Sequence, residues 1–556
     1  MAEDPETYSS WVQHREETRP PIPEGGSLSR TLHLVMVIAG EPPSETMPTL
    51  ESLQKQRSGH WALTVFVHSS WRTTFTSLLA VSGMQRPSQR VHVESADDES
   101  TEHQMLFQAF RLRPESDISL IFPGDVWAHD AVTLLSEALD PRAVVYADQD
   151  CLTARGSYES PLLKPEYSPE FHLRSSFVGR PIAIGSKVVR LLSTTLLRES
   201  SSVEHNVALL ACELADRVEH IPEVLCHRLI PPPADTPDFD HVIDTLARRH
   251  DPADVCRGLA TDTFRVRRTA PPSLKTSIII PFRDEPQLLR TCVDSIEATR
   301  SGMTIEYVLI DNGSVEPETA TLLDLLRQRA NTRIVSDGRP FNWAQLNNAA
   351  SKVATGEVLV FLNNDIEAHD IGWLGALCSQ AMRPGVGAVG ARLLYPDRRL
   401  QHCGVVIGLG GAAGHLFVGL EEDQHGYLRM ATTTRECGAV TGACLATRTE
   451  VFFQLGGFDE SLGVDLNDID YCLRAQRQGF SVLYEADAEL IHHESPSRGT
   501  AGDVRDIVHF IDRWKESILS CDPYLNPNLT RVDSSCALRR SDEEVWWNKW
   551  NESLSR

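Results

Sequence analysis

At 556 residues the chain is too long for one ordinary globular core, and its length predicts about two to four domains. Lys and Arg total 53 against 77 Asp and Glu, a formal charge of −24, which excludes a broad surface that grips phosphate backbones, so no nucleic-acid partner is expected. The 41% of hydrophobic residues is enough to fill cores of normal size, and the twelve cysteines form no CxxC pair or compact cluster, which predicts reduced thiols in a cytosolic setting.

The opening stretch, MAEDPETYSSWVQHREETRPPIPEGG, is acidic and lacks the basic-then-apolar order of a secretory signal; a flexible tail is expected over residues 1–29. LHLVMVIAG then reads as a buried strand, PTLESLQKQ as a helix and WALTVFVHSS as a second strand. ISLIFPGDVWAHDAVTLLSEAL follows with an apolar strand, a polar turn and a helix. After the basic, proline-containing linker FRVRRTAPPSLK the order recurs: strand KTSIIIPF, helix EPQLLRTCVDSIEAT, strand IEYVLIDNGS, then EVLVFLNNDIEAHDIGWLGALCSQAM with the same outline as its counterpart in the first half. Alternating strands and helices predict an α/β architecture with a mainly parallel sheet. Ligands of such sheets bind beyond the carboxyl ends of the strands, which directs attention to DNGS at 311–314 and NND at 363–365. The longest apolar runs, TSIII and EVLVFL, fall well short of the roughly 20 residues of a membrane-spanning helix, so a soluble or peripherally attached protein is expected.

A single aspartate at a strand end often caps a helix or braces a turn. Here Asp311 and Asp365 are followed by TGACL (441–445), GGFDESLGVDLNDIDYCLR (456–474) and ELIHHESPSRG (489–499), several polar clusters joining apolar segments. Together with SIIIPFRDE, FNWAQLNNAA, VGAVGARLLYPDRRLQHCGVVIGLGGAAGH and AVTGACLATR, these stretches make residues 275–531 resemble a family 2 glycosyltransferase of GT-A fold, closest to bacterial rhamnosyltransferases and O-antigen glycosyltransferases. The resemblance implies inverting transfer of a sugar from a UDP- or dTDP-sugar to a saccharide or lipid-linked acceptor in surface polysaccharide synthesis. It implies donor contacts from Pro281, Arg283, Glu285, Asp311, Asn363, Asn364, Asp365 and Arg498, the last in a segment able to fold over the diphosphate.

The NND turn stands where the family usually carries Asp-x-Asp. Asn363 replaces the first acid, and its amide can still bond ribose hydroxyls, because that contact needs no charge. Asp365 remains for Mg²⁺ or Mn²⁺, hard cations that prefer anionic oxygen. His492 is expected as a second metal ligand by alignment with the family's His-x-Glu-Ser, with His493 as the alternate; in a strand His492 and Glu494 share one face. Inverting transfer also needs a carboxylate to take the acceptor's proton, and Asp468 in LNDIDYCLR is that base, while Asp470 caps or supports the helix. GLGGAAG at 408–414 lacks GxGxxG spacing and a following βαβ unit, so it reads as a glycine-rich turn near the acceptor rather than a dinucleotide site. The QxxRW mark of processive synthases is absent, which favours addition of one or a few sugars.

Residues 30–235 also resemble a family 2 domain, at VVYADQD, LLKPEYSPEFHL and HIPEVLCHR, with the catalytic positions changed: His68 and Ser69 follow the second strand, Asp125 alone remains of the metal turn, and Glu204 is the nearest acid to the base position. Two tandem GT-A-like, Rossmann-like domains with mostly parallel mixed sheets are therefore expected, the first degenerate. It serves either as a scaffold or in acceptor binding, with Asp148 and Asp150 able to contact a ligand. Residues 236–274 read as a connecting helix and linker, and 532–556 as a Trp-rich extension in which Trp546, Trp547 and Trp550 share a helical side. Lipid-linked acceptors are compatible with peripheral contact at the inner face of the cell membrane. The competing reading is a non-catalytic glycan-binding or assembly scaffold.

Overall fold

The computed structural model describes residues 5–19, 30–84, 90–195, 203–229, 239–494, 504–540 and 542–543. Arg498 and the three tryptophans at 546, 547 and 550 lie outside these residues. Contacts divide the chain into two units, Met1–Tyr167 with Ser175–Asp251, and Ser168–Arg174 with Pro252–Arg556.

The first unit holds strands β1 (Leu32–Ile38), β2 (Trp61–His68), β3 (Val91–Ala96), β4 (Asp117–Leu120), β5 (Asp125–Trp127), β6 (Ala143–Leu152), β7 (Tyr158–Leu162), β8 (Ile182–Ile184) and β9 (Arg217–Arg228). They form one sheet in the order β3-β2-β1-β4-β8-β6-β9-β5, with β7 beside β6. The first four strands of that order are mutually parallel, β8 is antiparallel to both of its neighbours, and β5 is antiparallel to β9. The tail expected to be flexible contains the helix Pro5–Thr18, which packs through buried Tyr8 and Val12. The Tyr8 hydroxyl donates to Asp150 at 2.9 Å, a tertiary bond that holds a helix whose own sequence is only weakly amphipathic.

The long segment of the second unit opens with the hairpin β10 (Asp254–Arg257) and β11 (Phe264–Arg267), so the stretch expected as a linker is partly strand. Its main sheet uses β12 (Lys275–Phe282), β13 (Thr304–Asp311), β14 (Thr332–Ser336), β15 (Val358–Leu362), β16 (Ile366–Ala368) and β17 (Val386–Leu394). Then come β18 (Leu400–His402), β19 (Val405–Ile407), β20 (Ala413–His415), β21 (Arg435–Glu436), β22 (Cys444–Arg448) and β23 (Ser481–His492). The order β14-β13-β12-β15-β22-β17-β23-β16 repeats the first unit strand for strand, with the same pattern of parallel and antiparallel pairs. Both units are thus α/β with mixed sheets, in which parallel strand pairs stand beside about as many antiparallel ones.

The central strands are apolar without alternation because helices cover both faces: Ile278, Ile279 and Ile280 are all fully buried, each stabilising the unit by roughly 1.5–3 kcal/mol. The polar turn after β15 leads into the short strand β16 before the helix Trp373–Ala381, a step that the strand-turn-helix outline lacked. That extra strand matters, because β16 lies against β23 and pairs Ile366 with His492. The GLGGAAG segment links β19 to β20 as a hairpin. Among the described residues no helix is long and apolar enough to cross a membrane.

Candidate active site

Parallel β13, β12 and β15 are neighbours, so their carboxyl ends open on one edge, where Phe282 pairs with Asp311. Pro281 and Asp311 stand at these adjacent ends. Asp311 Oδ1 accepts from the Ser314 amide at 2.9 Å, which closes the DNGS turn and leaves the carboxylate half-buried. Across from it, Asp284 accepts from the amides of Val315 and Glu316 at 2.8 and 2.9 Å. Asp284 and Glu285 both have positive φ, 54° and 52°, a conformation uncommon for residues with a side chain and held here by those two bonds. Arg283 and Glu285 are exposed on either side of this clip.

The NND turn is fixed from two directions. The Asn363 amide donates to the Ala443 carbonyl at 3.0 Å, and the Asp365 carbonyl accepts from the His493 amide at 3.0 Å. Asp365 and His492 thereby face each other, with Oδ1 3.1 Å from Nε2, whereas the His493 ring turns to Glu367 at 2.8 Å. The expectation that His492 and Glu494 share a strand face is corrected: β23 ends at His492, and Glu494 has φ of 45°, so alternation stops there. The His492 Nδ1 is 2.6 Å from Gln401 Oε1, and the same Gln401 side chain hydrogen-bonds Tyr395. A carbonyl oxygen only accepts, so Nδ1 carries a proton and Nε2 is the ring atom that faces Asp365. Two donor atoms about 3.0 Å apart are what a cation with ligands at about 2.1 Å and right angles requires, so this pair fits a small divalent ion. Among the described residues no three His, Cys, Asp or Glu side chains converge, so the remaining ligands of such an ion would have to come from water or substrate phosphate.

Next to the turn lies a cavity of about 220 Å³ lined by Trp343, Asn363, His415, Gly442, Asp465 and Asp468, among others. Asp468 is the second residue of the helix Asn467–Arg477, which is entered through Leu466 at φ of 62°. A bulky side chain in the left-handed region marks stored strain, and here it turns the first helical residues toward the cavity. Asp468 Oδ2 accepts from the Gly442 amide at 2.5 Å and Oδ1 from the Ile469 amide at 2.8 Å. Burial pushes the Asp468 carboxyl above its ordinary value, and these amides and His415 offset the rise only in part. Asp470, two residues on, is fully buried and faces away: it accepts from Arg474, Arg513 and the Trp514 indole at 2.7, 2.9 and 2.9 Å.

Several residues that shape this site carried no role in the sequence reading. The His415 Nδ1 is 3.0 Å from the Gln401 carbonyl, so that nitrogen donates and Nε2 is the acceptor in the neutral ring; burial draws the His415 pKa down. Gln401 therefore orients two imidazoles, one with its side chain and one with its backbone. Trp343 starts a helix capped by Asn342, whose Oδ1 accepts from the Gln345 amide at 2.8 Å. Gly442 is needed for space: a Cβ there would lie 2.8 Å from Trp343 Cη2 and 3.4 Å from Asp468 Cβ. The stretches FNWAQLNNAA, LQHCGVV, GGAAGH and TGACL carried the signals of these residues in the sequence.

Residues 277–453 match the family model Glycosyl transferase family 2. The second unit carries a family 2 glycosyltransferase domain. Over 566 aligned residues the chain is 32% identical to the O-antigen biosynthesis protein RfbC of Myxococcus xanthus, a match that takes in 97% of this chain and 44% of that protein. The chain thus spans less than half the length of that relative. It is also 25% identical over 243 residues to the N-acetylglucosaminyl-diphospho-decaprenol L-rhamnosyltransferase of Mycobacterium tuberculosis, covering 40% of this chain and 76% of that one. Among solved structures, GalNAc-T7 with UDP, GalNAc and Mn²⁺ aligns with a TM-score of 0.38 at 15% identity, over 53% of this chain and 56% of that one.

Proposed function

We propose that the protein is a divalent-cation-dependent, inverting glycosyltransferase of surface polysaccharide synthesis, taking a UDP- or dTDP-sugar as donor and a saccharide or lipid-linked acceptor. The observation that carries the reading is Asp468: a carboxyl raised above its ordinary value, open to a cavity it shares with Asn363. A base with a pKa raised toward neutrality takes a hydroxyl proton more readily than an ordinary aspartate. In the reaction the acceptor oxygen attacks the anomeric carbon, its proton passes to Asp468, and the bond to the diphosphate breaks with its electron pair leaving on the nucleotide, which inverts the configuration.

Asp311 and Pro281, at neighbouring strand ends, are suited to the base and ribose, and exposed Arg283 and Glu285 to the outer face of the nucleotide. Asn363 and Asn364 supply uncharged bonds to ribose hydroxyls. Asp365 and His492 would hold Mg²⁺ or Mn²⁺, which would supply positive charge for the departing diphosphate. Arg498 is retained as a further phosphate contact. A 220 Å³ cavity is smaller than the roughly 300–1,000 Å³ of whole-ligand pockets, which suits it to the transferred sugar and the attacking hydroxyl with the nucleotide outside. The rhamnosyltransferase relative acts on a lipid diphosphate, and an acceptor of that kind would bring this chain to the inner face of the membrane. A panel of UDP- and dTDP-sugars, read by release of nucleoside diphosphate with and without Mn²⁺, tests the reading; no cation-dependent release from any donor, with or without acceptor, refutes it.

A further inference from the structure

The first unit repeats the sheet of the second with its acids in corresponding places. IFPGDVWAHD runs parallel to FLNNDIEAHD, and Val126 pairs with His227 as Ile366 pairs with His492, so Asp125 corresponds to Asp365 and His227 to His492. Glu204 is the second residue of the helix Val203–Leu214 and lies as far before Arg217, the first residue of β9, as Asp468 lies before Ser481, the first of β23. Glu204 therefore corresponds to Asp468.

One arginine joins the two acids. Arg180 Nη1 donates to Asp125 Oδ1 at 2.9 Å, Nε donates to Glu204 Oε2 at 2.9 Å, and Nη2 lies 2.7 Å from the same oxygen. Its guanidinium lies 3.7 Å over the Phe122 ring, with only 13% of the side chain exposed. The backbone that carries it is fastened too: Gln149 Oε1 accepts from the Arg180 amide at 2.7 Å, and buried Lys164 donates to the Arg180 carbonyl at 2.8 Å. Burial pushes the Glu204 carboxyl up, yet Arg180 and Arg228 outweigh it and hold the group below its ordinary value, so it stays ionised.

The neighbouring groups are paired among themselves. His227 sits between Asp150, 2.6 Å from Nδ1, and Glu16, 3.5 Å from Nε2. Burial pulls its pKa down, but these two acids prevail and push it up to about 9, so the ring is a cation at neutral pH. Asp148 is likewise engaged by His220 at 2.8 Å and the Lys164 amide at 2.8 Å.

We propose that Arg180 is a built-in cation that closes the first unit to divalent ions and nucleoside diphosphates, leaving donor chemistry to the second unit alone. A planar guanidinium with two carboxylates on its fork satisfies both acids without any ligand from solution. The proposal rests on Asp365 and Asp468 being the donor-site acids of the second unit.

The experiment is a Mn²⁺ titration of the full chain, followed by loss of the free-ion EPR signal, in an Asp365→Ala/His492→Ala background. That background should show no saturable Mn²⁺ binding that Asp125→Asn removes. Adding Arg180→Met should tighten Mn²⁺ binding at least tenfold, and Asp125→Asn should abolish the gain, with circular dichroism reporting that the variant is folded. Mn²⁺ binding in the background that Asp125→Asn removes overturns the proposal, as does a folded Arg180→Met variant that gains nothing. If Arg180→Met does not fold, the Asp125→Asn comparison decides by itself. Equal Mn²⁺ binding by wild type and background, with no effect of Asp125→Asn, supports closure of the first unit while overturning the metal site of the second.

Discussion

Replacing Gln401 by leucine removes the side-chain amide, both the oxygen that faces His492 and the group that hydrogen-bonds Tyr395, and leaves the size of the side chain nearly unchanged. In the wild type that oxygen accepts the Nδ1 proton of His492 at 2.6 Å, and His492 is only 8% exposed. Without it, a buried N–H is left unpaired at a cost of about 1–3 kcal/mol, unless the ring turns away from Asp365 to find another acceptor. Either outcome weakens the Asp365–His492 pair as a cation site, and loss of such an orienting partner lowers metal affinity by roughly 10–100-fold. Gln401→Leu should therefore bind Mn²⁺ in that range more weakly than wild type in a calorimetric titration without sugar donor, and Gln401→Glu, which keeps an acceptor, should recover most of the loss. Mn²⁺ affinity within twofold of wild type in a folded Gln401→Leu variant would refute the orienting role.

Further outcomes follow from neighbouring residues. Asp470→Ala strips three donors of their buried partner, and because Arg474 and Arg513 keep some access to water the loss should be about 2–4 kcal/mol, read as a lowered thermal midpoint. Gly442→Ala pushes a methyl against Trp343 and toward Asp468; overpacking of about 1–3 kcal/mol predicts a loss in kcat/KM of roughly 5–150-fold with nucleotide affinity little changed. As the proposed base Asp468 must be ionised, and its carboxyl is raised, so kcat/KM should fall on acidification with a midpoint above the ordinary aspartate value of about 3.9; a midpoint at or below that value contradicts the assignment.

The parts of the fold readable from sequence are those where burial is uniform. KTSIIIPF is β12 residue for residue, because a strand covered on both faces needs an unbroken apolar run. The helix at Pro5–Thr18 was not legible, since its order comes from Tyr8 reaching Asp150 more than a hundred residues away. In the site, Asp365, His492 and Asp468 stood out through their motifs, and the structure brings Asp365 to His492 and Asn363 into one cavity with Asp468. Gln401, His415 and Gly442 did not stand out, because they lie on short strands and turns whose partners are set by tertiary packing. Arg180 was hidden for the same reason: its two acids are 55 and 24 residues away, and nothing local marks an arginine that bridges them.

The central claim is that Asp468 takes the acceptor's proton. Its most direct test is transfer by Asp468→Asn, measured as nucleoside diphosphate released in the presence of acceptor, beside calorimetric nucleotide binding. Loss of turnover by roughly 10²–10⁴-fold with nucleotide affinity intact is the predicted result. Turnover equal to wild type in the folded variant would contradict it.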